Sequence, residues 1–455
     1  MKNSIKACQI KGLSKSNAPT DKPINLLAFS KDVEKTELGE VWTKVFRKAL
    51  EYTRNLLIPK GKYYIDDTII IPSNTKIRAD KKAEICLVRD TKVVMFRNAD
   101  VIDGSKRAVG HEEPISENIT IKGGVWSTEY RKRAEYGKIC AFDKEDSKHG
   151  VHALMLFSGV KNLHLSEMVF KDTPAFALQL GRIEDFIVEK IKFVSCYADG
   201  VHVNGFVKNG FIKNITGEVG DDLVALNAYD WDNSTINNGP MENLRIENIR
   251  VAATGEYKSF RIQAGVVPTE SGDIDCYIRD LYIKNVKGVS VFKMYLQTPS
   301  YKEEPDGTKV GRLENITIDG VELDLPAPVD QMKNYTECDP LTGNFGAFEL
   351  GSNISKLTIY NVKAKINKER YPTLHLITAG PKSSYLPEWG IELFDPYVVS
   401  ETEEIVYKNI RVNGKKITDL RTEIKEVSFP DTMYEGQYGN GGSGKVKSVK
   451  NERKI

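Results

Sequence analysis

Three carboxylates in one short stretch of this chain are spaced for chemistry. CYADGVHVNG (Cys196–Gly205) carries Asp199, and GEVGDDLVALNAYDW (Gly217–Trp231) carries Asp221 and Asp222. Asp199 and Asp222 stand 23 residues apart. If that interval is one coil of a stacked repeat, the two lie about 4.8 Å apart in backbone height on one face, with Asp221 beside them. Carboxylates that close repel, so at least one should keep its proton beside ionised neighbours. A protonated acid next to an ionised base is what glycosidic hydrolysis needs: one protonates the leaving oxygen and the other activates water. Asp-Gly and Gly-Asp-Asp are also ordinary turn sequences. Both together, one interval apart and with His202 and Arg261 nearby, favour the chemical reading.

The elements that must hold these groups are visible as a recurring phrase: an Asn or Asp, alternating apolar and polar residues, then another Asn, Gly or Lys. It appears as ENITIKGGVW from Glu117, KNLHLSEMVF from Lys161, EDFIVEKIKF from Glu184, KNGFIKNITG from Lys208 and ENLRIENIRV from Glu242. It returns as RDLYIKNVKG from Arg279, ENITIDGVEL from Glu314, SKLTIYNVKA from Ser355 and KNIRVNG from Lys408. The period of two is that of a half-buried strand. The closest copies, at Lys161, Glu184 and Lys208, follow at 23- and 24-residue intervals, room for one coil of three short strands. Such a coil buries its inner face only against a neighbour, so the fold class expected is all-β, a right-handed parallel β-helix, with loops inserted at corners where the interval widens. The competing fold, an antiparallel sandwich, would need hairpin dipeptides about every 8–12 residues, and those are not evident.

Upstream, VWTKVFRKALEYTRN (Val41–Asn55) has helical periodicity and reads as a short N-terminal cap over the apolar end of the coils. LLIPKGKYYIDDTIIIPSNTKIRAD then reads as strand, Pro-Gly turn, strand, Pro-Ser-Asn turn, strand. The chain therefore divides into an N-terminal segment over 1–40, a single capped β-helix domain over 41–430, and a Gly-, Ser- and Lys-rich tail over 431–455 expected to be disordered.

The segment from Asp199 to Arg261 resembles glycoside hydrolase family 28, the polygalacturonase-like enzymes of the pectate-lyase-like (pectin-lyase-like) β-helix superfamily. The family pattern is Asn-Thr-Asp-Gly, Gly-Asp-Asp one coil later, Gly-His-Gly, then Arg-Ile-Lys. This sequence has Tyr197-Ala198-Asp199-Gly200, an intact Gly220-Asp221-Asp222, and Arg261-Ile262-Gln263 within SFRIQAG. IPKGKYYIDDTIIIPSNTKI resembles the superfamily's capping passage. The resemblance implies an inverting, single-step glycosidase. Asp221 would be the general acid, Asp199 and Asp222 would hold and activate the attacking water, and Arg261 would bind substrate near the cleaved bond. Two departures stand out. The Gly-His-Gly element is missing, which leaves His202 as the nearest substitute in the site. The family lysine, which suits an anionic uronate, is Gln263 here, so a neutral or differently charged sugar enters consideration, with Lys258 a candidate to restore the charge.

Tyr229 and Trp231 follow the Gly-Asp-Asp strand and are candidates to stack on sugar faces. Trp126, Tyr130, His149 and His152 lie upstream, where inserted loops could wall one end of a cleft. His149 and His152 with Glu145 or Asp146 match no strong zinc spacing, so no metal is expected. No GxGxxG, Walker or serine-elbow sequence occurs, and no cofactor is implied. Net charge is +2, from 65 Lys+Arg against 63 Asp+Glu, which disfavours a nucleic-acid partner. No apolar run of about 18 residues exists to span a membrane. The N-terminus lacks a signal-like apolar stretch, and six scattered cysteines read as reduced thiols, several in the core; both suggest a cytoplasmic protein, with a secreted one the alternative if a signal has been removed. The expected partner is a carbohydrate substrate, with the oligomeric state left open. The rival readings are a polysaccharide lyase or other carbohydrate-rearranging enzyme on the same scaffold, and a non-catalytic carbohydrate-binding β-helix.

Overall fold

The computed structural model describes residues 20–452, apart from 38, 90, 92, 100–107, 110–115, 130–152, 231–234, 253–258, 269, 296, 299–308, 326–344, 370–371, 385–397, 429–437 and 441. Its recurring phrases are strands of a parallel β-helix. Alternation sends every second side chain inward, and parallel stacking in register sets like on like. One inward row runs unbroken from Ile24 and Leu56 through Ile77, Ile121, Leu165, Val188, Ile212, Ile246, Ile283, Ile318 and Ile359 to Tyr407. From Leu56 onward its members are buried, and each contributes roughly 1.5–3 kcal/mol for removing its side chain from water.

The asparagines of the phrase turn the corners. Asn118, Asn162, Asp185, Asn209, Asn243, Asp280 and Asn315 all have φ between 54° and 60°. A left-handed backbone costs most L-residues about 1–2 kcal/mol and Asn or Asp least. Their amides then ladder from coil to coil, as where Asn162 Nδ2 donates to Asn118 Oδ1 at 2.7 Å and Asn243 Nδ2 to Asn209 Oδ1 at 2.8 Å. The second Asn of the phrase makes a parallel ladder: Asn248 donates to Asn214 and accepts from Asn285, both at 3.0 Å.

The cap is an α-helix, Thr43–Tyr52, burying Val45, Phe46, Ala49 and Leu50. Phe46 meets Tyr63 and Phe96 edge-on, closing the apolar end of the stack. No helix among the described residues is long and apolar enough to cross a membrane.

Three boundaries differ from the sequence reading. Ile24–Asn25 already pairs with Leu56–Leu57, so the coils begin before residue 41. The stretch from Leu56 to Asp80 falls in four strands rather than three, because Asp66 and Asp67 form a corner between Gly61–Ile65 and Ile69–Ile71. The tail, expected to be disordered, contributes the strand Gly442–Asn451, paired in parallel with Val398–Val412. Its lysines find carboxylates on the preceding coil, Lys447 lying 2.8 Å from Glu401 and 2.7 Å from Glu403, while Val446 buries inward.

Candidate active site

The site occupies one sheet of the helix, where Val201–Asn204, Val224–Asn227, Ser259–Gln263 and Val291–Met294 lie side by side in register. Asp199 and Asp222 sit in the turns that lead into the first two strands. The coils clasp there: Gly200 N–H donates to Asp222 O at 2.9 Å, and Asp222 N–H donates to Asp199 Oδ1 at 3.0 Å. The glycine of Gly-Asp-Asp is a steric requirement, since a Cβ on Gly220 would stand 1.6 Å from Tyr197 O on the coil below.

Oxygens of Asp199, Asp221 and Asp222 all lie within 4.8 Å of one another. Their exposures differ sharply: Asp199 is 1% and Asp222 0% exposed, while the Asp221 side chain is 24% exposed. Arg261, one strand further on, lies with Nε 2.8 Å from Asp222 Oδ2 and with a terminal nitrogen 3.5 Å from Asp221 Oδ2. The Ser259 hydroxyl donates to Asp222 Oδ1. Burial is the main reason the Asp222 carboxyl is pushed up to about 6; the Arg261 charge opposes this, and the charges of Asp221 and Asp199 add to it. This is the only grouping among the described residues with spacing for a metal ion, and Arg261 already places positive charge against it.

His202 does not face solvent beside the carboxylates. It is 1% exposed. Its Nδ1 lies 2.6 Å from Asp199 Oδ2 and its Nε2 lies 2.8 Å from Asp230 Oδ2. The Phe176 ring stacks on it at 3.9 Å. Burial alone would favour the neutral ring, but the hydrogen bonds to Asp199 and Asp230 outweigh it and push the imidazole up to about 9.

Asp230 was not singled out from sequence, although it lies between Tyr229 and Trp231. It is 2% exposed, and its Oδ2 also accepts from Asn204 Nδ2 and Asn227 Nδ2, both at 3.1 Å. These outward-pointing polar residues are buried because residues 235–239 lie across the outer face of the sheet: Gly205 N–H donates to Asn237 O and Gly239 N–H to Ala228 O.

Gln263 is also buried, its Nε2 donating to Tyr229 O at 2.9 Å, so it braces the backbone after the Gly-Asp-Asp strand. Tyr229 is half-buried against the core. Lys258 and Trp231 lie outside the described residues, as do Tyr130, Glu145, Asp146, His149 and His152. Trp126 is fully buried, donating Nε1–H to Gly123 O at 3.0 Å and meeting Phe96 edge-on, so it belongs to the core rather than to a cleft wall. Lys293, missed from sequence, pairs in register with Arg261 one coil on, and its charge is felt at Asp222. The signal available was its place in VSVFKM, the strand that follows SFRIQ by one coil.

No family model matches the sequence, and no curated protein matches it. Among solved structures the chain is similar to a hyperthermoactive exopolygalacturonase from Thermotoga maritima, at 12% identity and a TM-score of 0.50 over 89% of this chain and 94% of that one. It is also similar to the tailspike protein of E. coli bacteriophage HK620, solved with a pentasaccharide, at 12% identity and a TM-score of 0.49 over 86% of this chain and 67% of that one. A family 28 exopolygalacturonase from Yersinia enterocolitica aligns at 11% identity and a TM-score of 0.47 over 95% of this chain and 78% of that one. At such identities the likeness is one of fold: the chain is a parallel β-helix.

Proposed function

We propose that the protein is a glycoside hydrolase working through Asp199, Asp221 and Asp222. The observation that carries this reading is the convergence of the three carboxylates within 4.8 Å around a guanidinium. Asp221, the one that reaches solvent, protonates the leaving oxygen. Asp199 and Asp222 hold the attacking water; one water accepted by two oxygens bridges about 4.5 Å at ordinary hydrogen-bond lengths. Arg261 and Lys293 place two cations along one face of the site, which keeps acidic as well as neutral sugars among the candidate substrates.

The test is a hydrolysis screen over acidic and neutral oligosaccharides, with wild type beside Asp221→Asn. Reducing ends should appear with wild type, and the variant should lose a hundredfold or more, the scale of a general acid's contribution of about 10²–10⁴. Single-step inversion is the course the family resemblance suggests, although the carboxylates sit closer than the wide pair most inverting enzymes use, about 6.5–9.5 Å. NMR of the first-released anomer decides between inversion and a covalent intermediate. An ultraviolet-absorbing product would instead mark a lyase, and saccharide binding untouched by Asp221→Asn, with no turnover, would mark a binding protein.

A further inference from the structure

Behind the three carboxylates, and joined to them through Asp199, lie two covered groups that the hydrolytic reading does not use, His202 and Asp230. Asp199 has both oxygens engaged, Oδ1 by Asp222 N–H and Oδ2 by His202 Nδ1. The other ring nitrogen of His202 meets Asp230 Oδ2 at 2.8 Å. A ring held between two ionised carboxylates, which only accept hydrogen bonds, donates from both nitrogens and is an imidazolium, and the short contacts at both ring nitrogens, 2.6 and 2.8 Å, fit that assignment. Asn204 Nδ2 and Asn227 Nδ2 also approach Nε2, at 3.3 Å, but each lies nearer Asp230 Oδ2, at 3.1 Å, and as donors they are satisfied there. Asp230 is itself fastened, its N–H donating to Asn238 Oδ1 at 3.1 Å. Among the described residues, the groups facing the ring include Asp199, Asp230, the amides of Asn204 and Asn227, and the Phe176 ring at 3.9 Å.

We propose that Asp230 is a positioning residue of the site: through a charged His202 it clamps Asp199 in place as a hydrogen-bond acceptor and leaves Asp221 as the acid of the cluster. The buried layer then carries two negative charges and one positive. Removing either outer member leaves the ring with a single carboxylate and lets it change charge in the working pH range. This rests on the hydrolytic reading for its consequence in catalysis, but the state of His202 can be measured without turnover.

The experiment is NMR of the ¹⁵N-labelled histidine rings of the full chain from about pH 5 to about pH 10, spanning the ordinary histidine value of about 6.5, with His202 identified by its loss in His202→Gln. In wild type the His202 ring should remain doubly protonated through neutrality. In Asp230→Asn it should titrate near the ordinary histidine value of about 6.5. Under the hydrolytic reading, kcat of Asp230→Asn should fall at least tenfold with KM little changed, and its pH profile should acquire a limb that follows the new His202 titration. A neutral His202 in wild type near pH 7 overturns the proposal, and that measurement stands even if Asp230→Asn fails to fold. An unchanged His202 titration in a folded Asp230→Asn also overturns it. A shifted titration in a protein that hydrolyses nothing would retain the clamp and remove the hydrolytic reading instead.

Discussion

Asp222 and His202 are buried ionisable groups whose environments act in different ways, and both should be visible in stability against pH. The Asp222 carboxyl is raised from 3.8 to about 6, so the folded state holds its proton more tightly than the unfolded chain. Folded stability therefore falls as pH rises from about 4 through 6, and above that the ionised group costs on the order of 3 kcal/mol. Asp222→Asn should be more stable than wild type at pH 8, with the advantage vanishing near pH 4; a lower melting temperature at pH 8 would show that the Arg261 pairing outweighs the burial. His202 is raised from 6.5 to about 9 by its two carboxylates. Its stabilisation is complete below pH 6.5 and is lost as pH climbs through 9. Melting curves of wild type and His202→Gln should differ by a few kcal/mol near pH 6 and converge toward pH 10. Asp199 and the Gly-Asp-Asp pair were readable from sequence as acids one coil apart. Asp230 was not, because its partner His202 stands 28 residues away and only winding brings them together.

At the scale of the element, corners rather than strands set the position of the site. Asn248 holds φ at 58° while donating to one neighbour and accepting from another. Asn248→Ala should cost about 1–2 kcal/mol from the left-handed backbone alone, and Asn248→Gly, which tolerates that φ, should cost less; equal losses would place the energy in the amide ladder instead. Gly220 is stricter. Gly220→Ala would drive a methyl into Tyr197 O and move the two acids that follow, so denaturant unfolding should show a loss of several kcal/mol, in the range of severe core changes, about 3–5 kcal/mol. The recurring phrase announced the asparagine corners, and Gly220 stood in the Gly-Asp-Asp sequence itself. It did not announce the Asp66–Asp67 corner, where no Asn or Gly marks the break between strands.

Over the whole molecule, the outer surface is organised by charge. One outward row reads Glu117, Lys161, Glu184, Lys208, Glu242, Arg279, Glu314 on successive coils, alternating in sign throughout. A second reads Glu189, Lys213, Glu247, Lys284, Asp319. Each exposed pair is worth little, about 0–1 kcal/mol, but skipping one coil would set like charges side by side at the junction in both rows. Lys208→Glu places three carboxylates in succession and should lower the melting temperature at low ionic strength by an amount equivalent to about 1 kcal/mol, recovered in high salt. A loss that salt does not relieve would point to packing rather than charge.

The sequence by itself determined the coil: inward alternation, asparagine corners and a 23-residue step are local properties, repeated until stacking is the only way to bury the inner face. It also determined that acids from neighbouring coils would meet. Tertiary structure alone decided how far each acid would be desolvated, that His202 and Gln263 would turn into buried braces, and that a glycine- and lysine-rich tail would close the last coil as a strand. Desolvation depends on what covers a residue, and here the covering segments come from tens of residues away, at distances no local pattern encodes.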